Sequence, residues 1–424
     1  MTAGLTKTVE IGIYLGYTYI SEFYTRILEV LREQGKGTDE IMAKSVRTWM
    51  EIDLDRIARN YQEIAKRLPG GAGVIAVVKA NAYGVGALPV ALELERAGCD
   101  YFAVTFLEEA LRLREGGLKA DILAMAPIEP EEAELAAENG VTVTLCDRES
   151  AVSLSERAQA LGVELAAQIK LDTGLSRLGI VVAGREKEAA LEAEELLRLP
   201  GLRVTGIFTH ITASNLTGGD ALNRRELERY MAVSGALLAK GYRLRRHCLS
   251  TGPLLDYPEY ACDYVRLGAM LYGVGGGKNA YGGYPVENSV YLKSRVMQVK
   301  ELPRGSAVSY GPLFVTLRDT KAAIVPIGFA DGLRRALSNQ GRMIVPGRWA
   351  PIIGKICCDH TILDVTDIPE VRRGDVVTVF GRDGQLEQTP GHYADRIGAT
   401  TAEITSIFNE RIPRIPVRGN APQI

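Results

Sequence analysis

At 424 residues the chain is too long for one small domain and implies two. Its 46% hydrophobic and 24% charged residues describe an ordinary globular protein with ample core, and a net charge of -2 argues against an electrostatic role on nucleic acid or an anionic membrane. Six scattered cysteines lack metal-type spacing, so neither a metal site nor a disulfide framework is expected; no run of ~18 apolar residues predicts a membrane span, no basic-then-apolar leader is legible, and the cytoplasm is the expected compartment.

Residues 1–45 read as an extension to which the sequence assigns no role; Ser21–Glu33 places Phe23, Ile27, Leu28 and Leu31 at helical spacing before a GKGTD stop. A first domain follows over 46–281. Trp49–Ile52 alternates as a strand, and Asp53 caps an amphipathic helix through about Leu68 with Ile57, Tyr61, Ile64 and Leu68 on one face. Strands are then predicted at Val74–Lys79, Tyr101–Phe106, Asp121–Ala126, Val141–Cys146, Ala166–Leu171, Val204–Thr209, His247–Leu249 and Tyr264–Leu267, with helices such as Glu108–Glu115 and Glu131–Glu138 between them. Eight strand-helix units with strands too apolar to face water indicate an α/β fold, a (β/α)8 TIM barrel, with a doubly wound sheet as the alternative.

From about Gly282 the helical pattern stops, and residues 282–424 read as a second, mostly β domain. Strands are expected at Tyr291–Val299, Lys321–Ile327, Met343–Val345, Ile352–Ile356, Thr361–Val365 and Asp375–Phe380, with a helix near Thr401–Asn409 and a final edge strand in IPRIPV.

The stretch VIAVVKANAYGVG (Val74–Gly86) organises the rest. Lys79 stands where an apolar strand gives way to a Gly-punctuated loop. Such a lysine is ordinarily a solvated ammonium; buried, it would be a neutral, nucleophilic amine able to form an imine with a carbonyl cofactor. Tyr83 brings a phenol to the same place, and Gly84 and Gly86 permit a tight turn. Lys79, Lys170, His210, Thr251 and Arg266 all fall at or near predicted strand ends, the face on which barrels do their chemistry.

Four strings in order, KANAYG, KLDTGLSRLG (Lys170–Gly179), VRLGAMLYG (Val265–Gly273) and VSYGPLF (Val308–Phe314), make residues 46–416 resemble the alanine racemase family. The resemblance implies pyridoxal 5'-phosphate bound through Lys79, with its phosphate on Tyr83, Thr251 and the backbone N–H groups of Gly268 and Ala269. Arg177, in isolation only a surface charge, would donate to the cofactor's phenolic oxygen and border the substrate, held by a carbamylated Lys170. Arg266, otherwise a rim ion pair, would face the ring nitrogen; an arginine accepts no proton, so the ring would withdraw electrons less well and racemisation would be favoured over transamination. His210, alone a structural hydrogen-bonder, would link that arginine to a tyrosine base. Tyr310, alone a core residue, would be that base, lent by the second subunit of a homodimer with shared active sites, opposite Lys79 across the α-carbon.

The chain departs from the family pattern at several points. Val85 replaces a histidine, Thr251 in STGPLL replaces Asn-Ser while keeping a hydroxyl, and Phe329 replaces a tyrosine at the substrate entrance. Cys358 and Asp359 stand at Met-Asp, whose backbone N–H binds the substrate carboxylate, and Ala402 stands at a tyrosine touching phosphate and substrate pocket. The last change and the Ser-Thr form suggest the serine/alanine racemase branch of vancomycin-resistance type, although 1–45 is too short and polar to be that branch's membrane domain. The expected function is interconversion of L- and D-alanine for cell-wall peptide. The alternatives are a serine/alanine or broad-specificity racemase, a barrel-type decarboxylase (which should carry a carboxylate in place of Arg266) and a non-catalytic cofactor-binding protein.

Overall fold

A computed structural model of the chain describes residues 46–212, 219–275, 281–311 and 313–419, so the extension 1–45 and its expected helix lie outside the described residues. The chain forms two compact units. One is Ile52–Val290 with Thr389–Ser406; the other is Tyr291–Gln388 with the described parts of Met1–Glu51 and Ile407–Ile424.

After β1 (Thr48–Asp53), the first unit is built on β2 (Gly73–Val77), β3 (Tyr101–Val104), β4 (Asp121–Ala124), β5 (Val141–Leu145), β6 (Leu165–Asp172), the short β7 (Ile180–Val181), β8 (Leu202–Thr209), β9 (Arg245–His247) and β10 (Tyr264–Leu267). These pair in the order β10-β2-β3-β4-β5-β6-β8-β9, with β7 beside β6, and each pair runs parallel. The Ser250–Arg266 parallel bridge and the Arg266 N–H to Leu249 C=O bond (3.0 Å) close the ring, so the eight predicted strands form the expected barrel. Its interior is packed, not hollow: Ile75, Val77, Tyr101, Ala103, Leu123 and Phe208 form one buried cluster.

Asp53 caps the helix Leu54–Ala65 as its sequence position demands, its Oδ1 accepting from Arg56 N at 2.9 Å. The buried face carries Leu54, Ile57, Asn60 and Ile64, and buried Asn60 bonds the carbonyls of Leu271 and Glu287. The expected C-terminal helix is present over Thr401–Ser406, but it packs in the barrel unit: a Cβ on Gly84 would lie 2.1 Å from Thr405 O. A second helix beside it, Pro390–Ile397, was not expected.

The other unit carries β11 (Val290–Arg295), β12 (Gln298–Leu302), β13 (Thr320–Val325), β14 (Arg342–Val345), β15 (Arg348–Pro351), β16 (Thr361–Asp364), β17 (Val376–Asp383), β18 (Leu386–Gln388) and β19 (Arg414–Val417). They form a sheet ordered β15-β14-β17-β11-β1-β19, with β18 on β17, and a three-stranded sheet β12-β13-β16. The final strand lies at a sheet edge, as its prolines require. The strand expected at Ile352–Ile356 reduces to one bridge, Ile352 to Leu363, because Pro351 ends β15 and Gly354 turns at φ 74°. Among the described residues, no helix is long and apolar enough to cross a membrane.

The β1–β11 pair is fixed by a buried ion pair, Lys293 Nζ to Glu51 Oε2 at 2.8 Å, with the side chains 4% and 8% exposed. Trp49 Nε1 also donates to Glu51 Oε1 at 2.8 Å. Lys293→Ala leaves that carboxylate buried and unpaired, and chemical denaturation should show a loss of about 3–5 kcal/mol.

Candidate active site

At the C-terminal end of the barrel strands, a cavity of about 400 Å³ is lined by Lys79, Tyr83, Lys170, Arg177, His210, Thr251, Arg266, Gly268, Ala269 and Ala402 among others. The structure therefore brings together every barrel residue expected at the site, and Ala402 from the far end of the sequence.

Strand β2 ends at Val77, and Lys79 opens a turn that winds the wrong way. Ala80, Asn81, Ala82 and Tyr83 have φ of 50°, 54°, 53° and 55°, a left-handed turn without a glycine. Each such residue costs roughly 1–2 kcal/mol. Local bonds offset the strain: Ala82 N to Val78 O (2.8 Å), Gly84 N to Ala80 O and Gly86 N to Asn81 O (both 2.9 Å), and Asn81 Oδ1 accepting from Ala87 N (2.7 Å). The turn delivers Lys79 and Tyr83 to the same cavity wall, with Lys79 Nζ 6.0 Å from the Tyr83 ring centroid. Position 268 must be glycine, because a Cβ there would lie 2.6–2.9 Å from Tyr83 ring atoms and its hydroxyl.

Arg266, on β10, is 4% exposed. It donates to His247 Nδ1 and His247 O (both 2.7 Å), to Thr209 O (2.6 Å), and at 3.4 Å to His210 Nδ1 and Cys248 O. These acceptors are all neutral, and among the described residues no carboxylate pairs with Arg266. Because guanidinium only donates, His247 Nδ1 must accept, which places its proton on Nε2 facing Gln168 Oε1 at 2.6 Å. Gln168 Nε2 in turn donates to Tyr101 OH at 2.7 Å. His247 also stacks on Phe208, with ring centroids 4.9 Å apart.

That arrangement sets the protonation of its neighbours. Burial, then Arg266 and Arg177, brings His210 down to about 3, so it is neutral near pH 7. Lys170, whose Nζ sits 5.4 Å from the Phe208 centroid, falls to about 8, mainly through desolvation. Lys79 is lowered by burial and then by Arg177. Desolvation raises the Tyr83 phenol to about 12, so it remains a donor. Burial brings Arg266 itself down to about 10, which leaves it charged near neutrality.

Arg177 lies on an exposed loop after β6, shaped by Asp172 Oδ1 accepting from Gly174 N (3.1 Å) and Ser176 N (3.0 Å). Thr251 opens the short helix Thr251–Asp256. The remaining expected residues, Tyr310, Phe329, Cys358 and Asp359, belong to the β unit and are neighbours there. Phe329 N and Ala330 N donate to the carbonyls of Cys357 (3.0 Å) and Cys358 (2.9 Å), and Ser309 Oγ, next to Tyr310, donates to Lys355 O at 2.6 Å. Asp359 accepts from Arg411 at 2.7 Å. Sequence reading missed His247, Gln168 and Tyr101, whose partners lie on other strands and leave no local signal.

Trace acylation of the full chain across pH should find Lys170 half-reactive at about pH 8. In Arg266→Gln, which removes a neighbouring positive charge, that midpoint should move upward; an unchanged midpoint would show that Arg266 does not act on Lys170.

The family models "Alanine racemase, N-terminal domain" and "Alanine racemase, C-terminal domain" match residues 52–275 and 289–416. An alanine racemase of Halothermothrix orenii is 33% identical over 372 residues, covering 87% of this chain and 96% of the relative. Among solved structures, alanine racemase from Bacillus anthracis with bound L-Ala-P superposes with a TM-score of 0.80 at 29% identity, covering 88% of this chain and 96% of its own. Alanine racemase from Bartonella henselae with covalently bound pyridoxal phosphate gives 0.76 at 27%, covering 88% and 100%. With both domain models matched in order and relatives spanned almost from end to end, the chain belongs to the alanine racemase family.

Proposed function

We propose that the barrel cavity binds pyridoxal 5'-phosphate through Lys79, that the protein interconverts L- and D-alanine, and that a second copy of the chain completes each site. The observation that carries this reading is Arg266, a buried cation with only neutral acceptors, lining the same cavity as a desolvated lysine. A decarboxylase of this plan needs a carboxylate where Arg266 stands.

The residues present fit the cofactor. Lys79 is a half-buried amine with lowered proton affinity, the glycine at 268 lets a protonated phenol lie against bare backbone, and Thr251 adds a hydroxyl. Tyr83, Thr251 and the N–H groups of Gly268 and Ala269 would hold the phosphate, and Arg177 would donate to the phenolic oxygen. When bound, the cofactor ties up the substrate amine covalently and delocalises the electron pair left at the α-carbon. Arg266 would donate to the ring nitrogen without protonating it. The Lys170 amine, neutral in part near pH 8, could add to carbon dioxide with release of its proton to solvent, and the resulting carbamate would turn a repulsion with Arg177 into an ion pair.

Two bases on opposite faces are needed to invert a carbon. Lys79 serves one face and Tyr310 from a second copy the other, with His210 and Arg266 beside it. What supports a second copy is exposure: Tyr310 is 69% exposed, and nearby Leu313, Val315 and Leu317 present further apolar surface. Backbone N–H groups at Cys358 and Asp359 receive the substrate carboxylate, and Phe329 stands at the entrance. The six free thiols support a reducing cytoplasm.

In deuterated water the protein should exchange the α-proton of alanine. Lys79→Ala and Tyr310→Phe should each lose at least about a hundredfold in rate. Mixing the two inactive variants should restore roughly a quarter of wild-type sites if subunits exchange and share sites; no recovery in verified mixed dimers would sink the shared site.

Ala402 lines the cavity with a methyl group alone, which supports a substrate range extending to serine, as in the serine/alanine racemase branch. Ala402→Tyr should raise the alanine-to-serine ratio of kcat/KM several-fold; an unchanged ratio counts against this range.

A further inference from the structure

Glu109 occupies the third position of the helix Leu107–Glu115, where a carboxylate ordinarily reaches back to free N–H groups at its own helix start. One oxygen does so: Oε2 accepts from Thr105 N at 2.8 Å and Phe106 N at 3.2 Å. The other leaves its helix. Oε1 accepts from the backbone N–H of Ala80 at 2.6 Å, in the turn next to Lys79. One half-buried side chain thus joins the end of β3 to the first left-handed residue of that turn.

We propose that Glu109 is a positioning residue for Lys79, tethering the left-handed turn to the strand beside it and setting a negative charge against the cations that surround the amine. This rests on Lys79 being the cofactor lysine. The groups facing Lys79 are Arg177, Arg266, Lys170, His210 and Tyr83 around the cavity, with Glu109 supplying the opposite sign. An amine that must accept a proton from carbon is a poor base if those cations act unopposed. The two roles separate chemically. Glutamine keeps the reach and one acceptor oxygen but loses the charge; aspartate keeps the charge but is one methylene short of bridging both sets of N–H groups.

The test uses the full chain loaded with pyridoxal phosphate. In Glu109→Gln the limb of the kcat pH profile assigned to Lys79, whose amine is freed once substrate is bound, should move to lower pH by roughly half a unit or more, because the ammonium has lost a stabilising charge. In Glu109→Asp the limb should stay near its wild-type position, while backbone amide exchange over residues 79–84 accelerates about tenfold or more. A Gln limb that does not move overturns the electrostatic role, and wild-type exchange in the Asp variant overturns the tether. Borohydride trapping with peptide mapping separates the two readings. Cofactor found on another lysine defeats the site assignment, while the exchange rates still decide whether Glu109 holds the turn.

Discussion

One uncancelled positive charge governs this site. Arg266 is buried among carbonyls and imidazoles, and a guanidinium desolvated without a carboxylate projects its field into whatever cavity it borders. Burial does most to strip protons from the neighbouring histidine and lysines, and Arg266 adds to it: His210 stays neutral and both cavity lysines hold their protons less firmly. A carboxylate at the same place would do the reverse, raising the proton affinity of those groups and of a ring nitrogen bound there. The chemistry open to the cavity therefore follows from which sign of charge β10 presents.

The rest of the barrel supports that charge. His247, fixed on Phe208 and bonded to Gln168, holds one guanidinium nitrogen with its ring and its carbonyl, and the carbonyl of Thr209 at the end of β8 holds the other. Across the cavity a strained turn presents Lys79, and the glycines at 84 and 268 allow Thr405 and Tyr83 to pack against bare backbone. The strain is tolerated because the turn is over-determined, bonded to its own strand, to Ala87 and to Glu109.

Much of this was legible in the sequence. The barrel strands are apolar enough to announce burial on both faces, and Asp53 announces the first helix. The polar residues clustered at strand ends foretold the cavity that Lys79, Lys170, His210, Thr251 and Arg266 line. What stayed hidden is of two kinds. Some signals were present but unread: Thr389, Pro390 and Gly398 are start and stop residues for the helix Pro390–Ile397. Others had no local trace. Four consecutive left-handed residues in KANAY defy the expectation that glycine carries positive φ, because tertiary bonds, not propensity, impose that conformation. The partnership of Glu109 with Ala80 likewise depends on neighbouring barrel strands meeting.

The ring-nitrogen protonation state of bound pyridoxal phosphate tests the governing claim most directly, and nitrogen-15 NMR of the labelled cofactor in the full chain reads it. With Arg266 as donor the nitrogen should remain unprotonated from acidic to alkaline pH across the enzyme's stable range. A protonated nitrogen at neutral pH would contradict the central role given to that charge.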